Sequence, residues 1–306
     1  MHPGRLVMNL VLLWARLEAR VMPASWLHAM GRWSARFAVR WLPGLRAGLL
    51  GNARRLLGVA APYEARLALG TQVLESFSRF FVELLLADRG LPSGGERLLE
   101  RMRGLEHAEA ARARGKGVIC VTLHMGNYEL GTLLLPRLIQ PVGVVYRPDP
   151  WGLFERLRSV RRQARAVQEI PTTDPLFVIS ARRLLEQKGV VLAAVDLGFA
   201  APGGELFPFL GGWARFLTWP AHLSRSTGAP ILPCFIVRGP AGEYQIELEA
   251  PVFPAEAGDA AGIMQRLLPV LEAYVRRYPE QWLIVHPYWV DGPEETEHGP
   301  AGRRAG

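Results

Sequence analysis

Four short runs constrain the fold of this 306-residue chain more than anything else in it. GVICVTLH (117–124), VGVVYRP (142–148), GVVLAAVD (189–196) and ILPCFIVRG (231–239) are apolar almost throughout and rich in β-branched residues. Such a run is too short for a buried helix and lacks the alternation of a strand with one wet face. Each reads as a strand buried on both sides. Helical stretches separate them, roughly 127–140, 151–168, 174–188 and 214–228. This alternation predicts an α/β fold with a mostly parallel central sheet flanked by helices. EYQIELEAPV (243–252) alternates and predicts an antiparallel edge strand, and QWLIVHPYWV (281–290) predicts a final strand.

The segment before this pattern is different. Residues 1–60 hold nine arginines and a single acid, Glu18, so they carry the whole net charge of +8. The arginines are interleaved with Leu, Val, Met, Trp and Phe, as in WLHAMGRWSARFAVRWL. That mixture suits an anionic membrane surface better than a solvated nucleic-acid arm; an ordinary basic helical region with a core face is the plainer reading. LVMNLVLLWA is about half the ~20 apolar residues of a membrane span, and Arg16 and Arg20 follow it. No small-residue cleavage site follows either. We therefore expect helices over 5–58, broken near Pro23 and Pro43, that lie on a membrane. A longer helix is expected over 62–88 and a charged amphipathic one over 96–114. The domain reading is a basic membrane-associating region (1–60), an α/β domain (61–291) and a disordered tail (292–306). Cys120 and Cys234 sit in apolar runs without ligand spacing and read as buried reduced thiols, consistent with a cytoplasmic face.

Parallel α/β sheets place ligands at the carboxyl ends of strands, where a turn leads into a helix. His124 stands at such a point in VTLHMGNYELG (121–131). Gly126 permits a tight turn, and Glu129 falls in the first turn of the next helix. Within one helix the two would lie ~140° apart. With His124 on the strand exit, the Glu129 carboxylate could accept the Nδ1 proton and leave the other ring nitrogen to act as a base. A histidine five residues from a glutamate also arises by chance, but this one closes a buried strand and has no packing reason to be polar. Arg147 ends the next strand, where it could meet a phosphate or developing negative charge. The helix after it carries Arg156, Arg158, Arg161, Arg162 and Arg165, either a solvated face or an anion site. Asp196 ends the third strand and leads into APGGELFPFLGG. Phe207, Pro208, Phe209 and Leu210 in that loop read as an acyl groove, a membrane contact, or packing beneath it. Nucleophile-elbow, Walker A, dinucleotide and zinc-protease motifs are absent from the sequence, and its other histidines are scattered without metal-ligand spacing.

HMGNYE (124–129) resembles the H-x4-[DE] motif of glycerolipid acyltransferases. With its Gly-Asn and an aromatic before the acid, it is similar to the bacterial lauroyl/myristoyl lipid A acyltransferases and their lysophospholipid-acyltransferase-like relatives. The resemblance continues through VYRP (145–148), VVLAAVD, GELFPFLGGWARFLTWPAHLSRSTGAPILPCFIVRG (205–239) and YPEQWLIVHPYW (278–289). It departs at Tyr128, at Leu197, in LTWP (217–220) and in VHPYW (285–289), all on the acceptor side.

The resemblance implies a membrane-associated O-acyltransferase at the cytoplasmic face of a bacterial inner membrane. It implies an acyl chain taken from an acyl carrier protein or CoA thioester, used as co-substrate with no cofactor or metal, and passed to a hydroxyl of a lipid A precursor or related glycolipid. It makes His124 the general base, Glu129 its orienting partner and Arg147 a substrate-phosphate or charge-stabilising residue. Asp196, Glu205, Phe207, Phe209 and Gly211 would belong to the acceptor and acyl site, and the Gly126 and Asn127 backbones to an oxyanion site. The expected partners are an anionic lipid surface, acyl carrier protein and the lipid acceptor, with no nucleic acid. The same dyad could instead serve a thioesterase or lipid hydrolase, and an inactive lipid-binding protein of this fold is a third possibility.

Overall fold

The computed structural model describes residues 18–89, 98–148, 152–198 and 204–292. Its centre is a seven-stranded sheet. In chain order the strands are β1 (Met102–Arg103), β2 (Val118–Thr122), β3 (Val142–Tyr146), β4 (Val167–Pro171), β5 (Val190–Ala194), β8 (Ile231–Arg238) and β9 (Tyr244–Leu248). In space they run β1-β9-β8-β2-β5-β3-β4. Five are mutually parallel, and β9 turns back antiparallel along β8 with β1 parallel to it.

The expected mostly parallel sheet is therefore present, and the four apolar runs are β2, β3, β5 and the inner β8. Their residues alternate between two cores, as side chains of a strand must. Ile119 and Val121 of β2 face one core with Val191, Ile231 and Phe235, beneath α7 (Phe177–Glu186), α8 (Trp219–Thr227) and α9 (Ala260–Arg277). Val118 and Cys120 face the other with Val142, Val190, Leu232 and Ala111 of α4 (Leu105–Arg112).

Several local expectations fail, for identifiable reasons. The span 214–228 is not one helix: β6 (Gly204–Phe209) and β7 (Gly212–Leu217) form an antiparallel hairpin, and α8 begins only at Trp219, with Pro220 in its first turn. Val167 and Gln168, expected to end a helix, open the charged strand β4, because an edge strand needs only one apolar face. The predicted helix over 96–114 shrinks to α4, since Gly104 takes a left-handed backbone (φ 78°) that stops it. EYQIE is not at the edge, because β1 covers it. The predicted final strand is no strand: 281–290 makes isolated bridges, Met125 with Trp282 and Trp213 with Val290, and crosses the sheet end as a strap. Cys234 is only half-buried.

Three N-terminal helices cover that strap: α1 (Ala24–Trp41), α2 (Pro43–Leu57) and α3 (Tyr63–Leu86). Pro43 holds Leu42 extended and ends α1, then serves as the first residue of α2. Ala35, Val39, Leu49, Ala53, Leu69 and Val73 form their shared core. Asn52 clasps the strap, its amide donating to the Ile284 and His286 carbonyls while its oxygen accepts from the Tyr288 N–H. The predicted break near Pro23 and the helix over 62–88 are observed; residues 1–17, the stop after Arg89 and the tail from 293 lie outside the described residues.

Candidate active site

The site follows from register. β2 and β5 are neighbours, with Thr122 opposite Ala194. Two residues beyond each brings His124 and Asp196 side by side at the carboxyl edge. His124 Nδ1 lies 2.6 Å from Asp196 Oδ1, and the His124 backbone N–H donates to the same carboxylate. The Trp282 indole N–H donates to Asp196 Oδ2 at 3.0 Å. Asp196 is fully buried while the His124 side chain is 24% exposed, so the imidazole stands between the carboxylate and solvent. Burial alone pushes the Asp196 carboxyl up; the adjacent His124 charge and the donors from His124 and Trp282 outweigh it and hold it below the usual range. Nδ1 carries the proton toward Asp196, and Nε2 has no hydrogen-bond partner among the described residues.

The predicted partnership of His124 with Glu129 is not what the structure builds. Glu129 opens α5 (Glu129–Leu134), is buried, and accepts from Arg162 Nη2 at 2.6 Å, with Arg158 at 3.7 Å. Arg162 also lies near Glu155 and Glu169, and over the Tyr146 ring. Arg158, Arg161 and Arg162, on α6 (Gly152–Gln163), are thus neither a solvated face nor open to a substrate. The helix turns Glu129 into this network because five residues along the chain carry it past the histidine.

The MGN turn is locked from both sides. Gly126 takes φ 57°, and a Cβ there would collide with the Ile236 carbonyl oxygen. Its N–H donates to the Gln281 carbonyl and that of Asn127 to the Ile236 carbonyl, so neither is available to an oxyanion. The Asn127 side chain instead donates to Glu83 of α3. Tyr128 sets its ring edgewise to His124 at 5.0 Å and stacks on Phe80 at 4.9 Å. The helical layer thereby reaches the histidine itself.

The remaining expected residues divide. Arg147 is exposed just past β3, at the same sheet edge. Glu205 is exposed and accepts from the Thr218 hydroxyl, with His222 at 3.7 Å. Phe207 is partly buried beside the main core. Phe209 is no groove residue: it is fully buried against Phe216, Trp282 and Tyr288. Gly211 is the hairpin turn (φ 73°), and its carbonyl accepts from Arg55 of α2. Asp196 is too deeply buried to touch an acceptor; it holds the histidine. Sequence reasoning passed over Trp282 altogether. The signal for pairing Asp196 with His124 was that both stand two residues past a strand, but it is usable only once β2 and β5 are known to be neighbours.

The sequence has relatives among known proteins. A family model described as bacterial lipid A biosynthesis acyltransferase matches residues 2–290. The phosphatidylinositol mannoside acyltransferase of Mycobacterium tuberculosis is 29% identical over 256 residues, covering 80% of this chain and 77% of that one. The one from Mycolicibacterium smegmatis is 26% identical over 283 residues, covering 89% and 88%. The lipid A biosynthesis palmitoleoyltransferase of Escherichia coli is 27% identical over 191 residues, 60% of each chain.

Proposed function

As the chain belongs to the bacterial lipid A biosynthesis acyltransferase family and is an acyltransferase, we propose that it passes a fatty acyl chain from an acyl carrier protein or CoA thioester to a hydroxyl of a membrane glycolipid, with His124 as base and Asp196 as its partner. The observation that carries this reading is a partly exposed imidazole pinned through Nδ1 to a buried carboxylate.

Nε2 takes the acceptor hydroxyl proton as that oxygen attacks the thioester carbonyl. Asp196 steadies the imidazolium and fixes the ring. Collapse of the tetrahedral intermediate expels the thiolate, which recovers the proton from Nε2. The products are the ester and the free thiol of the carrier. Arg147, exposed at the same edge, is available to an anionic part of either substrate. Leu197, Phe207 and Leu217, only partly buried around that edge, supply apolar surface for the acyl chain.

The acceptor is a lipid, so the protein must meet a bilayer. No described helix is long and apolar enough to cross one. The outer face of α1 offers a different contact. Trp26, Trp33, Phe37 and Trp41 recur at helical spacing and are 65%, 67%, 50% and 61% exposed. Arg36 and Arg40 are exposed among them. An aromatic stripe among cations is suited to the headgroup layer of an anionic membrane. We assign α1 to peripheral attachment at the cytoplasmic face of the inner membrane.

The test is His124→Ala in the purified full chain, assayed with acyl carrier protein and CoA thioesters and an extract of membrane glycolipids. Acyl transfer should disappear while folding is unchanged. Undiminished transfer overturns the assignment, and rapid release of free acid without acceptor would identify a hydrolase.

A further inference from the structure

A second polar cluster stands where α1, α3 and the end of β8 meet. His28 and Arg32 lie four residues apart on α1. Ser76, Arg79 and Glu83 follow one face of α3, and Arg238 ends β8. α1 and α3 approach so closely here that a Cβ on Gly31 would press on the Ser78 hydroxyl. Arg238 donates to Ser76 Oγ at 2.9 Å. Arg32 and Arg79 make no hydrogen bond or ion pair among the described residues. The carboxylate of the cluster, Glu83, accepts on one oxygen from both Asn127 and Tyr244. The charges of Arg79, Arg32 and Arg238 all act on the half-buried His28 imidazole, and those of Arg79 and Arg238 also act on Glu83. Burial and then the charges of Arg79, Arg32 and Arg238 push His28 down to about 4, so it is neutral at physiological pH. The Glu83–Asn127 bond joins this cluster to the residue three past His124.

We propose that His28, Arg32, Arg79 and Arg238 form a subsite for the phosphate of the acceptor lipid's headgroup, holding that lipid beside His124. This rests on the acyltransferase reading above. Guanidinium groups are the side chains best matched to a phosphate. The acceptor is favoured over the phosphopantetheine of the donor because α1 carries the bilayer-facing stripe. The cluster lies across that same helix, within about one helix diameter of the headgroup layer.

The test needs no turnover. The full chain is titrated with water-soluble dihexanoyl phosphatidylinositol, dihexanoylglycerol and phosphopantetheine, following the His28 imidazole by NMR. The phospholipid should bind saturably and raise the His28 pKa, because an anion offsets the guanidinium charges. Arg79→Gln should weaken that binding about tenfold or more, as loss of a charge-assisted hydrogen bond does. Arg79→Lys, which keeps the charge and guards against misfolding, should retain most of it. The proposal is overturned if dihexanoylglycerol binds as tightly, if Arg79→Gln binds as the parent does, or if phosphopantetheine perturbs His28 and the phospholipid does not. Failure here would leave a positive His124→Ala result standing, since that measures chemistry at a separate group.

Discussion

His124 and Asp196 are 72 residues apart in sequence and share three close contacts: the ring Nδ1 and the backbone N–H of the histidine both address the carboxylate, the N–H through both oxygens. Trp282 closes the carboxylate's remaining side. A pair held at both backbone and side chain keeps one tautomer and one ring orientation, which a base in a transfer reaction requires.

Asp196→Asn tests that tautomer. The amide can donate to Nδ1, which would place the proton on Nε2 and remove the base. We expect kcat to fall by about 10³–10⁴ with the acceptor KM nearly unchanged, the scale seen for the equivalent change in a serine-protease triad. Steady-state kinetics on the folded variant read the split.

Glu129→Gln should behave in the opposite way. It leaves Arg162 buried with its nearest anion gone, and breaking a buried ion pair costs about 3 kcal/mol. Chemical denaturation should show that loss, while the fraction that remains folded keeps a near-parental kcat. A collapse of kcat with unchanged stability would restore Glu129 as the histidine's partner.

The α1 stripe predicts a membrane phenotype without a catalytic one. Replacing Trp33 and Phe37, whose rings stack at 5.5 Å, with serine removes much of the apolar face. Sedimentation with phosphatidylglycerol vesicles should show partitioning weakened by at least about tenfold. Folding should be untouched, because both side chains already face water.

His28 gives a pH signature. Its folded pKa of about 4 lies below its ordinary 6.5, lowered by burial and by Arg79, Arg32 and Arg238. Between those values the unfolded chain binds a proton that the folded chain refuses. Stability is therefore complete above pH 6.5, falls as the pH drops toward 4, and is not lowered further by this group below that. His28→Gln should flatten the slope of Tm against pH across this window, measured in low-salt buffer without phosphate. An unaltered slope would mean the imidazole is not desolvated.

The chain's own pattern determined more of the fold than of the site. Continuous β-branched runs can be buried only from both sides, so β2, β3, β5 and β8 were legible, as was the position of His124 at a strand's end. Pro23, Pro43 and the spacing of apolar residues located α1, α2 and α3, since those effects are local. Strand order is not local. The choice of β5 rather than β3 as the neighbour of β2 comes from how the crossover helices pack. That choice alone sets Asp196, rather than the nearby Glu129, against the histidine. Tertiary packing also decided that Arg158 and Arg162 of α6 turn inward to meet Glu129, Glu155 and Glu169, and that Trp282 arrives on a strap 86 residues beyond Asp196. Sequence proximity suggested a partner for the histidine; a register between two strands supplied a different one.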